Sequence, residues 1–365
     1  MKNTFGNSLS ITLWGESHGE SIGAVLDGLA PGIAVDPEYI AEKLTLRRPI
    51  GKISTPRVEE DPVFIESGVF NGYTTGTPLT LRIPNSNTQS KDYSATRFLA
   101  RPSHADLTAF EKYHGFEDYR GGGHFSGRIT AGLVAAGAIV MSALEKNGIY
   151  IGTHIKRCAK IDDVDFTQNL EDEIKLLSKK PFATLSDSIG EEMQKAIIEA
   201  RDSLDSVGGI LETAVIGMPA GVGEPWFDSV ESTLSHALFS IPAVKGVEFG
   251  LGFEIADKKG SQANDPFRVE NGKIVSTTNN SGGINGGITN GMPIIFRTAV
   301  RPTPTIGKEQ ETVDMSKREN AILSAKGRHD PCIVHRARIV QDCVSALVIY
   351  DMMATRFGTD WAVKK

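Results

Sequence analysis

Residues 129–144 form a stretch of the chain that contains neither a charged residue nor a histidine, and alanine and glycine are common in it. Its 16 residues fall short of the about 20 that a helix needs to span a bilayer. With its flanks it predicts an apolar helix over 126–147, closed by Asn147-Gly148. We therefore expect a buried helix and no membrane span.

The predicted strands follow one another in groups along the chain before the next predicted helix. They lie at 8–13, 22–28, 63–70, 79–83, 151–157, 210–217, 247–255 and 293–300. Further helices are predicted at 36–47, 106–114, 188–204, 228–238 and 339–357, with capping boxes that begin at Ser188 and Asp228. This order is not the βαβα alternation of a doubly wound sheet, so it predicts an α+β fold with antiparallel sheets. The polar segments 84–102 and 258–282 are predicted to be long loops.

The charge balance limits the classes of partner. The chain has 39 Lys and Arg residues against 45 Asp and Glu residues, a formal net charge of −6. This argues against a nucleic-acid binder and against a basic membrane-surface protein. Three cysteines without a C-x-x-C pair indicate a reduced, cytosolic protein, and residues 1–10 lack the apolar region of a secretory signal.

Several arginines stand in predicted loops or at the ends of elements. They are Arg47, Arg48, Arg97, Arg101, Arg120, Arg128, Arg301 and Arg328. A guanidinium matches the geometry of carboxylate and phosphate, so converging arginines would suit a small anion with several charges. The alternative is that they are ordinary solvated surface charges.

The segment WGESHG at 14–19 follows a predicted strand. It contains G-x-S-x-G, the pattern of a hydrolase nucleophile elbow, but that motif requires a helix immediately afterwards. Residues 21–29 are predicted to be another strand, so we favour His18 as a proton donor at neutral pH. A histidine that only hydrogen-bonds a turn is the alternative.

Two further histidines stand next to predicted helix starts. His104 lies in RPSHAD at 101–106, and His124 lies in RGGGHFSGR at 120–128. Backbone N–H groups at a helix N-terminus favour an anion, and a glycine-rich loop there suits a phosphate or a flavin phosphate. The match to G-x-G-x-x-G is imperfect, which argues against a Rossmann site.

A cation, an imidazole and a carboxylate stand side by side in GRHDPC at 327–332. His329, Cys332 and His335 give H-x2-C-x2-H, which matches no standard zinc motif, so no metal is expected. RPTPT at 301–305 has the form of a rigid loop with hydroxyl groups for a polar ligand.

Eight motifs in one order resemble the chorismate synthase family. They are WGESHG at 14–19, LRRP at 46–49, RPSHAD at 101–106, DYRGGG at 118–123, IPAVKGVEFG at 241–250, GGINGG at 282–287, RPTPT at 301–305 and GRHDPC at 327–332. The resemblance covers nearly the whole chain. It implies a lyase that converts 5-enolpyruvylshikimate 3-phosphate to chorismate and phosphate by an anti-1,4-elimination. This is the last common step of the shikimate pathway for aromatic amino acid biosynthesis.

The resemblance also implies a cofactor and an assembly. The family requires reduced FMN without net redox change, and it assembles as a homotetramer of single-domain chains, here 1–365. Its fold is a β-α-β sandwich with helices between antiparallel sheets. The length resembles the monofunctional bacterial type, so we expect a cytoplasmic flavoprotein that receives reduced FMN from an external reductase.

The motifs carry residue roles with them. The resemblance assigns His18 as the acid for the departing phosphate, His104 as the proton partner of the flavin, and Asp330 as the group that acts at flavin N5 to remove the ring proton. Substrate anions would be held by Arg47, Arg48, Arg101, Arg128 and Arg328. The FMN site would be lined by His124, Phe125, Ser126, Pro242, Ala243, Gly286, Arg301, Pro302, Thr303, Pro304, Thr305 and Arg328.

The chain departs from the family in two places. Many members have Arg-Ser-Ser where this chain has His124-Phe125-Ser126, which affects a contact with the flavin phosphate. Lys52 stands where many members have arginine, which weakens a contact of Arg47 and Lys52 with the nicotinamide of NADP. Two alternatives stay open: a flavin oxidoreductase that consumes NAD(P)H at each turnover, and a non-catalytic flavin or anion binder.

Overall fold

Strands occupy both halves of the chain, around two long helices. In a computed structural model of the chain, the described residues are 2–55, 60–86, 96–324 and 330–363. The strands are β1 (Thr4–Phe5), β2 (Ser10–Gly15), β3 (Ser21–Asp27), β4 (Phe64–Ser67), β5 (Val69–Phe70), β6 (Tyr73–Thr74), β7 (Leu79–Pro84), β8 (Tyr150–Cys158), β9 (Ile161–Asp162), β10 (Gly209–Ile216), β11 (Val244–Phe249), β12 (Phe267–Glu270), β13 (Lys273–Ser276), β14 (Ile284–Asn285), β15 (Ile288–Thr289), β16 (Ile294–Val300), β17 (Gln310–Asp314) and β18 (Glu319–Leu323).

Helices lie between these strands in the chain order. They are α1 (Pro37–Leu46), α2 (Asp106–Tyr113), α3 (Thr130–Lys146), α4 (Leu170–Leu177), α5 (Asp187–Asp202), α6 (Val230–Leu238), α7 (Gly260–Ala263) and α8 (Val334–Phe357). Short 3₁₀ turns, among them Arg120–Phe125 and Gly127–Ile129, precede α3.

Two antiparallel sheets carry the fold. The first has the order β1-β2-β3-β7-β4 and the second has the order β11-β16-β10-β8-β9. In β7 the side chains of Leu79, Leu81 and Ile83 are buried and alternate with Thr80 and Arg82. This is the predicted pattern of a strand with one face on the core.

The two long helices lie between the sheets. Helix α3 packs on β3 and β7, α8 packs on β8 and β10, and the two helices pack on each other. A side chain at Gly132 would collide with the backbone of Gly23 in β3, and one at Gly137 would collide with Cys343 in α8. The predicted α+β sandwich with helices between antiparallel sheets is therefore confirmed, and the glycines of α3 allow its close packing on both sides.

The predicted buried helix is also confirmed. The segment Gly127–Lys146 is long and apolar enough to cross a membrane by length and composition alone, but 89% of its most apolar window is buried inside the protein. This is the environment of a core helix, since the apolar residues are already covered by the two sheets and α8.

Several local predictions were wrong, among them the strand at 247–255, which ends at Phe249 and is followed by a 3₁₀ turn at Gly252–Asp257. Residues 258–282 are not one loop, because they contain α7 and the hairpin of β12 and β13. The cap of α6 is Ser229, which accepts a hydrogen bond from the Ser232 N–H, and not Asp228. Helix α5 begins at Asp187 with Ser186 as its N-cap, so Ser188 lies inside the helix. The predicted loop at 84–102 falls partly outside the described residues.

One carboxylate joins the two ends of the chain. Asp351, buried in α8, accepts hydrogen bonds from the backbone N–H groups of Asn7, Ser8 and Leu9 at 3.0, 2.7 and 2.8 Å. The turn before β2 is therefore fixed by a charge-assisted contact with the last long helix.

Candidate active site

A cavity of about 730 Å³ opens where the start of the chain, the glycine-rich loop, the turn before β11, RPTPT and the start of α8 meet. Its size lies within the range of small-molecule sites. It brings together these residues of the predicted site: Arg47, His104, His124, Phe125, Ser126, Pro242, Ala243, Arg301, Thr303, Pro304, Thr305 and Asp330.

Other predicted residues lie outside the lining. They are His18, Arg48, Lys52, Arg101, Arg128, Gly286 and Pro302. Gly286 lies in the turn between β14 and β15, and Lys52 is exposed, with its carbonyl accepting a hydrogen bond from Arg201. Arg328 lies outside the described residues.

His18 lies directly behind the glycine-rich loop. Gly121 lines the cavity with a φ of +60°, and a Cβ on it would stand 2.2 Å from His18 Cε1. The Ser17 hydroxyl donates to the Arg120 carbonyl at 3.2 Å and lies 3.1 Å from His18 Nδ1. Only a glycine fits at 121, because the backbone conformation and the ring both exclude a side chain.

His124 and Ser126 hold the entrance to α3. His124 donates from Nδ1 to the Gly15 carbonyl at 2.7 Å, because a carbonyl can only accept. The Ser126 hydroxyl accepts from the Arg128 N–H at 3.2 Å and caps the turn before the helix. Phe125 packs edge-on against Tyr113. Where many members have Arg-Ser-Ser, this chain therefore has a histidine that lines the cavity and joins the loop to β2.

Asp106 and Arg101 surround His104. The Arg101 guanidinium donates to both carboxylate oxygens of Asp106, from Nε at 2.7 Å and from Nη2 at 2.7 Å. His104 Nδ1 lies 2.8 Å from Asp106 Oδ1. The Arg101 guanidinium is thus already bound to the Asp106 carboxylate at the start of α2, next to the cavity.

Asp330 is held by two donors. The Thr55 N–H donates to Oδ1 at 2.9 Å, and Arg336 Nη1 donates to Oδ2 at 2.7 Å. Arg336 also lines the cavity and donates from Nε to the Arg47 carbonyl at 2.9 Å. The sequence motifs did not identify Arg336. Its position six residues after Asp330, in the first turn of α8, could have indicated that the two side chains lie close together.

Two predicted substrate arginines meet a buried carboxylate. Asp61 pairs with Arg128, and its Oδ2 lies 3.5 Å from Arg47 Nη1. Arg47 also donates from Nε to Thr130 Oγ1 at 2.9 Å and from Nη2 to the Gly127 carbonyl at 2.7 Å. No local pattern in the sequence points to Asp61, because it reaches the arginines only through the fold.

The RPTPT loop offers unused polar atoms. Arg301 donates from its N–H to the Ala243 carbonyl at 3.0 Å, which places the two predicted FMN segments side by side. Among the described residues, the buried atoms Arg301 Nε and Thr303 Oγ1 have no hydrogen-bond partner. Buried polar atoms without partners at a cavity are suited to a polar ligand such as a flavin.

Cys332 and His335 have separate partners, and His329 lies outside the described residues. His335 Nε2 lies 2.8 Å from the Ser54 hydroxyl, and burial lowers the pKa of His335 to about 3. The Cys332 sulfur lies 3.8 Å from that of Cys158, and both are buried free thiols. Within the described ranges, no group of three or more His, Cys, Asp or Glu side chains could hold a metal ion.

Comparison with known proteins gives one consistent result. The sequence model described as chorismate synthase matches residues 9–354. The chorismate synthase of Thermococcus gammatolerans is 45% identical over 359 residues, which are 98% of this chain and 99% of the relative. That of Chitinophaga pinensis is 46% identical over 351 residues, 96% of each chain.

A solved structure agrees with the sequence relatives. A crystal structure of a chorismate synthase superposes with a TM-score of 0.77 at 29% identity, covering 98% of this chain and 94% of that one. Both the sequence and the fold match over nearly the full length. The chain therefore belongs to the chorismate synthase family.

Proposed function

We propose that this protein converts 5-enolpyruvylshikimate 3-phosphate to chorismate and phosphate by an anti-1,4-elimination, with reduced FMN bound. Family membership makes it a lyase of the shikimate pathway that acts on a small molecule. The observation that carries the finer proposal is that His104 and Asp330, far apart in the sequence, line one cavity. A protein that only binds an anion needs cationic side chains but no such pair.

The reaction places clear demands on the site. A C–H bond and a C–O bond break, a C=C bond forms, and the proton and phosphate leave without net change in oxidation state. His18 donates a proton to the departing phosphate, because a protonated phosphate leaves more easily. Asp330 acts in removing the ring proton, and the N–H of Thr55 and the guanidinium of Arg336 orient its carboxylate.

The substrate carries two carboxylates and a phosphate, a charge of about −3 to −4 at neutral pH. The lysine and arginine side chains that line the cavity support binding of such an anion, and they are Lys2, Arg47, Lys245, Arg301 and Arg336. Arg48, Arg128 and Arg328 remain proposed substrate contacts from the family motifs. Arg101 is proposed to hold the substrate as well, although its guanidinium already binds Asp106.

The residues present fit a flavin. The unused atoms of Arg301 and Thr303, the apolar ring of Phe125 and the Pro242-Ala243 turn all line the cavity. We assign FMN binding to these residues, with His124, Ser126, Pro302, Pro304 and Thr305 beside them and Gly286 carried over from the family. When bound, reduced FMN supplies an electron-rich ring that stabilises an electron-poor allylic centre.

The assembly and the flavin supply belong to the same proposal. One continuous hydrophobic core supports a single domain over 1–365. Strongly exposed aromatic residues such as Trp226, Phe227 and Phe253 support a homotetramer, because large exposed apolar groups often mark interfaces. We expect a cytoplasmic tetramer that takes reduced FMN from a separate reductase, with only a weak nicotinamide contact at Arg47 and Lys52. Light scattering, which measures the molar mass of the assembly, tests whether it is a tetramer.

The deciding experiment mixes the purified protein with 5-enolpyruvylshikimate 3-phosphate and chemically reduced FMN without oxygen. We expect chorismate and phosphate in equal amounts, with the flavin still reduced at the end. In a parallel assay with added reduced nicotinamide, consumption of one nicotinamide per turnover would show an oxidoreductase instead. Binding of flavin and substrate without turnover would show a non-catalytic binder.

His18→Ala tests the assignment of the phosphate acid. We expect turnover to be lost while FMN and substrate still bind, because the lysine and arginine side chains that line the cavity are unchanged. Equilibrium titrations of both ligands and the anaerobic assay measure the two effects. Loss of both ligands together would show that His18 holds the loop and is not the acid.

A further inference from the structure

Asp106 is the most heavily hydrogen-bonded carboxylate next to the cavity. Its Oδ2 accepts from the Arg101 N–H at 3.0 Å and from Arg101 Nε at 2.7 Å. Its Oδ1 accepts from Arg101 Nη2 at 2.7 Å and lies 2.8 Å from His104 Nδ1. His104 lines the cavity, whereas Asp106 does not.

The charge state of Asp106 follows from these partners. Burial alone would raise the pKa of Asp106, but the hydrogen bonds from Arg101 and His104 hold it well below its usual range. The carboxylate is therefore ionised at neutral pH, and an ionised carboxylate can only accept hydrogen bonds.

The contact fixes the position of the proton on His104. If Nδ1 carried a lone pair, it would face the lone pairs of Asp106 Oδ1 at 2.8 Å, which is repulsive. Nδ1 must therefore carry the proton and donate it. The 3.1 Å between Arg101 Nη2 and His104 Nδ1 is then the spacing of two donors that share one acceptor.

The other ring nitrogen is left for a ligand. Among the described residues, none forms a hydrogen bond with Nε2, and that edge of the ring lies against Gly122, where a Cβ would stand 3.4 Å from Nε2. A neutral His104 thus presents a lone pair at Nε2, and a protonated His104 presents an N–H there.

We propose that Asp106, clamped by Arg101, is a positioning residue that fixes His104 in its Nδ1–H form, so that Nε2 is the atom that exchanges a proton in the cavity. The inference rests on the proposed function, because His104 is assigned its proton role there. It gives Arg101 a role through Asp106, in addition to any contact with the substrate.

A purely structural role for Asp106 makes a different prediction. Asp106 is the first residue of α2, where an acidic side chain stabilises a helix through its dipole. In that case removal of the charge would lower the melting temperature of the protein, but the tautomer of His104 and kcat would stay unchanged.

The test is Asp106→Asn with ¹⁵N-labelled histidine. The asparagine oxygen is occupied by Arg101, so its NH₂ group turns to Nδ1 and forces the proton to Nε2. The signal of His104 among the eight histidines is identified from His104→Gln. At a pH above which the ¹⁵N signals of His104 no longer change, we expect Nδ1–H in the unmodified protein and Nε2–H in the variant.

Kinetics give the second readout. We expect Asp106→Asn to lower kcat by at least about 100-fold with little change in KM, since a wrong tautomer affects the proton step and not binding. Asp106→Glu, which restores a carboxylate, should recover part of the activity. Asp162→Asn is the matched control, because it removes a carboxylate from the fork of Arg157 on the second sheet, and its kcat should stay unchanged.

The outcomes separate this inference from the proposed function. An Nε2–H tautomer in the unmodified protein overturns the inference even if the Asn variant does not fold. So does an unchanged kcat in Asp106→Asn when His104→Ala has lost activity. If the unmodified protein makes no chorismate, the proposed function fails, and the tautomer measurement still decides whether Asp106 orients His104.

Discussion

Single residues set the distances in this site, and Gly121 shows it most directly. Its backbone has a φ of +60°, and the His18 ring occupies the space that a side chain would take. The loop can approach His18 only because position 121 has no Cβ. The same contact explains why the cavity wall at this point is bare backbone.

We expect Gly121→Ala to displace His18 and to abolish turnover, with a loss of about 1–3 kcal/mol in unfolding free energy from backbone strain and overpacking. Chorismate formation and urea denaturation measure the two effects. Gly148→Ala is the control, because its φ is +77° but no atom lies within 4 Å of an added Cβ. Full activity in Gly121→Ala would contradict the tight fit.

Arg336 is the second residue with a direct test. We expect Arg336→Gln to lower kcat at least about tenfold, because Asp330 loses its charged partner. Arg336→Lys should recover part of it, since lysine keeps the charge but lacks the second donor to the Arg47 carbonyl.

Arg157→Gln serves as the control for charge removal. Its partner Asp162 lies on an exposed surface of the second sheet, where ion pairs contribute little. Equal losses of kcat in Arg336→Gln and Arg157→Gln would rule out a specific role for Arg336.

The motifs identified twelve residues of the cavity lining but not the charge partners Asp61 and Arg336. His104, Asp330 and the RPTPT loop carry local patterns that the sequence displays. Asp61 has no such pattern, because it reaches its arginines only after distant segments have packed. Pairings made by tertiary structure are therefore the part of the site that spacing does not reveal.

At the scale of elements, helix ends were the weakest part of the prediction. Asp228 and Ser229 are both common capping residues, and which one caps α6 depends on the backbone that enters the helix. The strands β12 and β13 were missed because each has only four residues. Residues 267–270 do alternate between apolar and polar, but so short a run within a polar, glycine-rich segment does not identify a strand.

The cap of α6 gives a test at this scale. Ser229→Ala should lower the unfolding free energy by about 0.5–2 kcal/mol, because the Ser232 N–H loses its acceptor. Asp228→Ala should change it by less than about 0.5 kcal/mol, since Asp228 is exposed. Urea denaturation of both variants measures the difference, and the opposite order would restore the sequence-based assignment.

At the scale of the whole molecule, a buried charge cluster links stability to pH. His154 in β8 lies 3.0 Å from Asp163 through Nδ1 and 3.0 Å from Glu212 through Nε2. Burial lowers the pKa of His154, but the hydrogen bonds to both carboxylates outweigh this and raise it above its usual 6.5. Burial also opposes ionisation of Asp163, yet the hydrogen bond from His154 lowers the pKa of Asp163.

The sign of the effect follows. Because the pKa of His154 is raised in the folded state, His154 makes its full contribution to the free energy of unfolding below pH 6.5. This contribution is lost as the pH rises through the pKa of His154 in the folded state. Because the pKa of Asp163 is lowered in the folded state, Asp163 stabilises the fold above pH 3.8. This stabilisation is lost as the pH falls. We expect urea denaturation to show a decline above pH 6.5 that His154→Gln abolishes.

His114→Asn is the matched control for this pH dependence. His114 is exposed at the left-handed end of α2, a conformation that asparagine tolerates. The decline should persist in this variant. If it disappears there and persists in His154→Gln, the buried cluster is not its source.

The hydrogen bonds from residues 7–9 to Asp351 have a consequence during synthesis. The first strands leave the ribosome early, but the carboxylate that fixes the turn between them follows 343 residues after Ser8. Asp330 and Arg336 also come late. The nascent chain therefore completes the candidate cavity only after α8 has been synthesised, so ligand binding cannot guide the folding of a chain that lacks α8.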